Sequence, residues 1–325
     1  EYDESEYAGL IAKKFNTRHV QIRLKPEVML TELTNALDAM DVPSGDGINT
    51  YVVSKAVHRE GIRVALSGTG GDELFAGYPI FEHYIRFQQK RWLWKAPAIV
   101  KNSLAGLLGK GAKRERMKQF LALPSPAIEY TYPVLRQLLS PRALGEWTRL
   151  KGPARHELAQ QLISKREALV RLPFFSQVTA AEYLGYTQQT LLKDMDQMSM
   201  ANSLEIREPF FDQDLVEFVM SVPDHFKVPV YPKSLLVESL KPLLPDEIVH
   251  RKKQGFVFPW NEWIKKELRS FCEKHINRMA QRDFIQEEHL KSAWKQFLSG
   301  HPDIRWQEIW LFVVLDYWME KNGCE

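Results

Sequence analysis

The run Ser67-Gly68-Thr69-Gly70-Gly71-Asp72-Glu73 combines glycine-freed backbone, small hydroxyls and two adjacent carboxylates. It follows a short apolar segment, Ile62 to Leu66, that reads as a buried strand. A glycine-rich bend at the carboxyl end of a parallel strand lets N–H groups close around oxyanions where ligands of open α/β sheets sit. Ser67, Gly68, Gly70 and Gly71 are therefore the expected phosphate-binding residues. Two acids beside phosphate repel it unless Mg²⁺ lies between, taking oxygens from protein and nucleotide, so Asp72 is the expected metal ligand and Glu73 its neighbour. A purely structural account stands beside this one: a left-handed glycine turn that ends a strand and starts a helix with acids at its N-terminus.

Such a turn needs a sheet and helices to hold it. Tyr7, Leu10, Ile11 and Phe15 recur at helical spacing, His19 to Leu24 alternates like a strand, and Val28 to Met40 returns to helical spacing. A helix over Thr50 to Glu60 then leads into the Ile62 to Leu66 strand. After Tyr78 the pattern turns almost wholly helical, with breaks at prolines including Pro97, Pro124, Pro126, Pro133, Pro141 and Pro173. The fold class is α/β with a predominantly helical C-terminal part. A division near Lys90 separates residues 1–90, the remnant of a parallel nucleotide-binding core, from the helical residues 91–325.

Charge and composition narrow the class further. The chain has 325 residues, 44% hydrophobic and 26% charged, with a net charge of +3, which argues against a dedicated nucleic-acid binder. Its two cysteines, Cys272 and Cys324, make no disulfide framework, no Cys/His cluster suggests zinc, and a cytoplasmic setting is expected. The apolar stretch Trp310 to Met319 carries Asp316 and falls short of the roughly 20 residues a bilayer needs, so no membrane partner is expected. Lys110 to Lys118 is rich in basic residues and reads as a solvated connection between helices, with polyanion binding the lesser alternative. Pro223 to Pro232 reads as a connecting loop. Trp306, Trp310, Val313, Val314, Tyr317 and Trp318 share one helix face that docks on other helices, with a homodimer seam as the alternative.

Beyond the glycine turn, three further blocks occur in order. Tyr2-Asp3-Glu4-Ser5 and Asp41-Val42-Pro43-Ser44-Gly45-Asp46 precede the turn. Asp196-Gln197-Met198-Ser199-Met200-Ala201 runs into Ser203 to Asp212, and Arg251-Lys252-Lys253-Gln254-Gly255-Phe256 comes last. Together with Val64 to Tyr78 these blocks resemble the synthetase domain of glutamine-hydrolysing asparagine synthetases and their amidotransferase relatives over nearly the whole chain. The resemblance implies a PP-loop ATPase fold, here truncated, with ATP and Mg²⁺ as cofactors. It implies that a substrate carboxylate, L-aspartate first among candidates, attacks ATP to give an acyl adenylate that ammonia derived from glutamine then converts to an amide. By its place between Arg251 and Phe256, Lys253 aligns with the lysine that stabilises those transition states in the family. Glu205, Arg207 and Asp212 are expected to form a supporting network around the helix break at Pro209.

The same resemblance marks departures. The family's S-G-G-x-D-S pyrophosphate loop and its glutaminase domain with a leading cysteine are not in this sequence, so an excised piece with weak ATP binding, an uncovered sheet edge and no glutamine hydrolysis is expected. True asparagine synthetases resemble S-G-E-G-x-D-E at the turn, where this chain has Thr69, and Gln197 is a second departure. Thr69 cannot act as a base at neutral pH, so proton removal passes to Glu73, Asp46, a water or the departing AMP. Two alternatives to aspartate amidation stay open: amide formation on a surface-polysaccharide or secondary-metabolite carboxylate, and a non-catalytic scaffold.

Overall fold

The computed structural model describes residues 5–22, 26–97, 99–101, 103, 112–150, 157–249 and 258–324. Three helices open the chain where the helical spacing placed them: α1 (Ser5–Lys14), α2 (Pro26–Asp38) and α3 (Gly47–Arg59). α3 starts earlier than its apolar pattern, at Gly47, whose missing side chain lets the backbone close on the helix Leu192–Met200; a Cβ there would lie 2.8 Å from Met198 Cε. The alternating segment from His19 does not form a strand. Residues 17–22 are irregular, Val20 and Ile22 are exposed, and residues 23 and 24 lie outside the described residues. Alternation makes a strand only where a neighbour completes its ladder, and among the described residues the one sheet has two strands, both elsewhere.

That sheet positions the glycine run. β1 (Val64–Leu66) pairs in parallel with β2 (Glu205–Arg207), Val64 opposite Glu205 and Leu66 opposite Arg207. Ser67 N–H extends the ladder to Arg207 O at 2.8 Å. β1 is not buried as its apolar run suggested: Val64 is 45% and Leu66 74% exposed, because β2 alone flanks it among the described residues. Glu205, Arg207 and Asp212 do not join in one network. Glu205 and Arg207 form an exposed ion pair at 2.7 Å on β2, and Asp212 caps the helix Gln213–Ser221 by accepting from Leu215 N–H at 3.1 Å. Asp212→Ala is expected to destabilise the protein by about 1 kcal/mol, with Asp212→Asn close to wild type, in urea unfolding.

After β1 come the one-turn helix α4 (Gly71–Leu74) and α5 (Pro79–Gln89), then helices to the end of the chain. Pro141 follows the N-cap Ser140, and Pro173 precedes the helix Phe174–Glu182. Pro133 instead lies inside the helix Ile128–Arg136, near its end, where its missing N–H forgoes one helical bond without stopping the chain. Arg114 to Lys118 of the basic run belong to the helix Ala112–Ala122 rather than to a connection, since Ala, Lys, Arg, Glu and Leu are good helix formers. Pro223 to Pro232 likewise contains a helical turn, Asp224–Lys227.

Packing divides between two main apolar clusters. The larger joins Met29, Leu33 and Ile48 of α2 and α3 to the helices Trp260–Lys265, Arg269–Ala280, Glu287–Leu298 and Trp306–Lys321. Trp310, Val313 and Val314 are buried in it, with Trp306, Tyr317 and Trp318 at its edge, so the aromatic stripe docks within the chain. The second places Ile80, Phe81 and Tyr84 of α5 against Ile128, Tyr132, Phe175 and Val178. Residues 1–90 thus contribute to both. Cys272 and Cys324 are free thiols. No helix among the described residues is long and apolar enough to cross a membrane.

Candidate active site

The glycine turn leaves β1 with its polar groups partly tied to one another. Ser67 Oγ lies 2.7 Å from Thr69 Oγ1 and accepts from Thr69 N–H at 3.1 Å. Gly71 N–H donates to Gly68 O at 3.3 Å. Gly70 adopts φ +96°, the left-handed region that glycine tolerates best, and starts α4 with Asp72 and Glu73 in its first turn. The structural account of the motif is therefore realised, and it leaves room for the chemical one. A Cβ on Gly68 would meet nothing within 4 Å, whereas Gly70 and Gly71 carry the rings of Phe210 and Phe211 on their other side, at 3.0 to 3.3 Å from the Cβ positions. The Pro209–Phe211 segment that follows β2 is thus the backing of the turn.

The two acids diverge. Asp72 pairs with Lys233, Nζ to Oδ1 3.5 Å, and folds over Gly77, whose N–H donates to Asp72 O at 2.8 Å. Lys233 holds φ +61° immediately before the helix Ser234–Leu240. Nothing in its sequence context marks it, since only the fold brings residue 233 to residue 72. Glu73 is buried instead, and its Oε1 accepts from Tyr78 O–H at 2.8 Å. Burial pushes the Glu73 carboxyl above its ordinary range, and the Tyr78 hydrogen bond works against that shift. Lys253, with Arg251, Lys252 and Gln254 to Phe256, lies outside the described residues.

Beyond Glu73 a polar network crosses five elements. The Arg136 guanidinium sits 4.8 Å from the Tyr78 ring centre and 4.3 Å from that of Tyr186, a cation in the corner that the two rings form. It pairs through two nitrogens with the fully buried Glu182, Nε to Oε1 at 2.9 Å. Tyr186 belongs to a π-helical stretch, Tyr183–Leu191, between the helices Phe174–Glu182 and Leu192–Met200. Its hydroxyl donates to Asp46 Oδ2 at 3.4 Å. Asp46 stands at the N-cap of α3 without capping it and is exposed, though closely surrounded by neighbouring groups. That crowding raises its carboxyl, against the opposing pull of Tyr186 and Arg136. Asp194, pushed up to about 6 by burial, accepts from Ser44 O–H at 2.6 Å. Gln197 clamps the same blocks together: its Oε1 accepts from Asp41 N–H at 2.9 Å and its Nε2 donates to Asp194 Oδ1 at 3.0 Å.

Asp41–Asp46, the glycine turn and the Asp196–Asp212 block therefore meet in space, whereas Tyr2 to Glu4 and Arg251 to Phe256 lie outside the described residues. Sequence reasoning passed over Arg136, Glu182, Tyr186 and Asp194, whose shared surroundings arise from helix packing and leave no local pattern. Among the described residues no group of three or more His, Cys, Asp and Glu side chains is arranged to hold a metal by itself.

Comparison with known proteins identifies the family. The family model described as asparagine synthase matches residues 1–320. Asparagine synthetase [glutamine-hydrolyzing] 1 of Bacillus subtilis (strain 168) is 23% identical over 327 aligned positions, covering 99% of this chain and 50% of that protein. Asparagine synthetase [glutamine-hydrolyzing] 3 of the same organism is 24% identical over 93% of this chain and 46% of its own length. Amidase chyE of Penicillium rubens is 25% identical over 80% of this chain and 42% of its own length. The chain spans about half the length, or less, of these relatives. With its glycine turn, its paired blocks and a family match over almost all of its residues, the chain belongs to the asparagine synthase family.

Proposed function

We propose that the protein carrying this chain is an ATP-dependent amidotransferase that activates a carboxylate, L-aspartate first, and joins it to glutamine-derived ammonia. The observation that carries this reading is the open face at Gly68 beside the Ser67–Thr69 hydroxyl pair and the Asp72–Lys233 pair. Thr69 and Gly71 spend their N–H groups within the turn, and one hydroxyl of the Ser67–Thr69 pair donates to the other, so the Gly68 and Gly70 amides and the remaining hydroxyl are the donors proposed for phosphate oxygens. Mg²⁺ fits this donor set, since it commonly takes one or two carboxylates and completes its shell with phosphate and water; Asp72 would hold it, and bound there it would neutralise phosphate charge. Lys233 adds a cation at the same carboxylate. Lys253 is proposed as the cation facing the reacting carboxylate, on the strength of the family block alone.

Thr69 serves as a hydrogen-bonding residue, not a base. Of the two carboxylates available for the ammonia proton, Glu73 is enclosed by Tyr78, whereas Asp46 is open to solvent. The asparagine synthetase names of two relatives favour aspartate as the acceptor. The amidase name of the third keeps other amide chemistry on the same fold as the second reading.

Pyrophosphate release by the full-length protein, assayed with a panel of carboxylates, tests the reading. Aspartate-dependent release is expected, falling about 100-fold in Asp72→Asn because the proposed metal ligand loses its charge. Folded full-length protein that releases no pyrophosphate with any carboxylate overturns it.

A further inference from the structure

We propose that Arg136 is a positioning residue of the candidate active site, contacting Tyr78 and Tyr186 so that one tyrosine retains Glu73 in the interior and the other orients the exposed Asp46 carboxylate. The proposal rests on reading the glycine turn as an active site. Arg136 makes no hydrogen bond to Asp46 or Glu73 among those described; it reaches both through the two tyrosine rings that its guanidinium lies over. The two rings pack edge to face on each other, 6.4 Å between centres, and the guanidinium lies against both. Glu182 fixes the guanidinium plane by accepting from two of its nitrogens, which lysine cannot reproduce.

The sequence of contacts has a consistent direction. Tyr78 donates to Glu73 at 2.8 Å, a full hydrogen bond that occupies the buried acid. Tyr186 donates to Asp46 at 3.4 Å, a long contact that orients the carboxylate while leaving its oxygens accessible. Asp46 also declines the helix N-cap role its position offers, so its orientation is set from the Tyr186 side. The π-helical stretch is what brings Tyr186 there: Gly185 within it lies against Tyr132, a Cβ at 185 falling 2.8 Å from the Tyr132 ring, and Tyr186 N–H reaches Tyr132 O–H at 3.3 Å. π segments recur at functional sites because they re-aim one side chain without breaking the helix. The charged and titratable groups facing Asp46 are Arg136 from the helix Ile128–Arg136, Tyr186 from the π segment and Asp194 from the helix Leu192–Met200.

The test uses full-length protein carrying Tyr186→Phe, which keeps the ring against Arg136, and Arg136→Met, which removes the hub. Two measurements are made across pH: the ¹³C-carboxyl titration of Asp46, assigned by its loss in Asp46→Asn, and kcat/KM for carboxylate-dependent pyrophosphate release. Tyr186→Phe is expected to raise the Asp46 midpoint by about 0.5 to 1 pH unit, and Arg136→Met by about 1 unit or more, because each removes a group that favours the ionised form. The acidic limb of the rate profile should move upward with it, while Tyr186→Phe leaves the thermal midpoint near wild type. Should Arg136→Met fail to fold, Tyr186→Phe decides alone. An unmoved Asp46 titration overturns the proposal whether or not the protein is active. A shifted titration in a wild-type protein that releases no pyrophosphate leaves the positioning intact and overturns the amidotransferase reading.

Discussion

Gly77→Ala is expected to lower carboxylate-dependent pyrophosphate release by the full-length protein about 100-fold or more, the scale on which a displacement of about 1 Å acts at a reacting centre. A Cβ at residue 77 would stand 1.8 Å from Asp72 Oδ1 and 2.8 Å from Asp72 Cα. Turning the carboxylate away relieves only the first contact. The second is with backbone, so the opening turn of α4 has to move, and Gly77 N–H cannot follow it without losing its bond to Asp72 O. Ala76 just before is already in the left-handed region at φ +56°, which leaves little slack in the chain. Asp72 would then leave Lys233, and the hydroxyls of Ser67 and Thr69 would lose their register with it. The cost in stability should be smaller, about 1 to 3 kcal/mol, as for other overpacked sites. Wild-type rates from Gly77→Ala protein would show that the position of Asp72 does not govern the chemistry.

The largest loss of stability is expected at Asp316. It interrupts the apolar helix Trp306–Lys321 and is fully buried, yet two arginines and a histidine surround it: Arg278 Nε at 2.8 Å, Arg282 Nε at 3.3 Å and His275 Nδ1 at 2.9 Å. Arg278 also pairs with Glu320, and Arg282 donates to Cys324 O at 2.9 Å, so the cluster ties the Arg269–Ala280 helix to the C-terminal end of the chain. Asp316→Ala leaves the two arginines facing an apolar gap and is expected to cost about 3 to 5 kcal/mol. Burial acts to raise the Asp316 carboxyl, but the bonds from His275 and Arg278 outweigh it and hold the carboxyl below its ordinary value. A depressed carboxyl contributes its stability fully above the unfolded value, near 4, and loses it as pH falls through the folded one. Urea midpoints should therefore decline below about pH 4 in the wild type, and Asp316→Asn should flatten that decline. A loss under about 1 kcal/mol for Asp316→Ala would remove the cluster from the stability of the fold.

What the residues disclose in advance depends on the range over which each feature is decided. The helices α1 to α3 and the turn after Leu66 follow from neighbours a few positions apart, and periodicity and glycine placement reveal them. The strand assigned from His19 fails because a strand is a property of a pair, and its partner is not written in its own alternation. β2 was overlooked for the converse reason: Glu205-Ile206-Arg207 is short and flanked by charge, and becomes a strand only because Val64 to Leu66 lies beside it. The same holds at the site. Ser67, Gly70 and Asp72 are visible as a local motif, whereas Lys233 and Arg136 join them through contacts between distant helices, and a lysine or arginine in an ordinary helix carries no mark of its neighbours. Gln197 looked like a departure bearing on chemistry, and it proves to tie Asp41 and Asp194 together.

The larger apolar cluster, in which α2 and α3 lie against Trp310 and its neighbours, has a bearing on how the molecule is made. α2 packs on α3, and α3 on the helix Leu192–Met200, but the sides of α2 and α3 that face Trp310 are covered only when residues far downstream have been synthesised, as the parallel ladder beside the glycine run waits for β2. Closing such long loops is entropically costly and slow. Nascent chains should therefore expose those sides of α2 and α3 until the helix Trp306–Lys321 has been made, making them clients for chaperones, and a stop codon that removes this helix would uncover α2 and α3 as well.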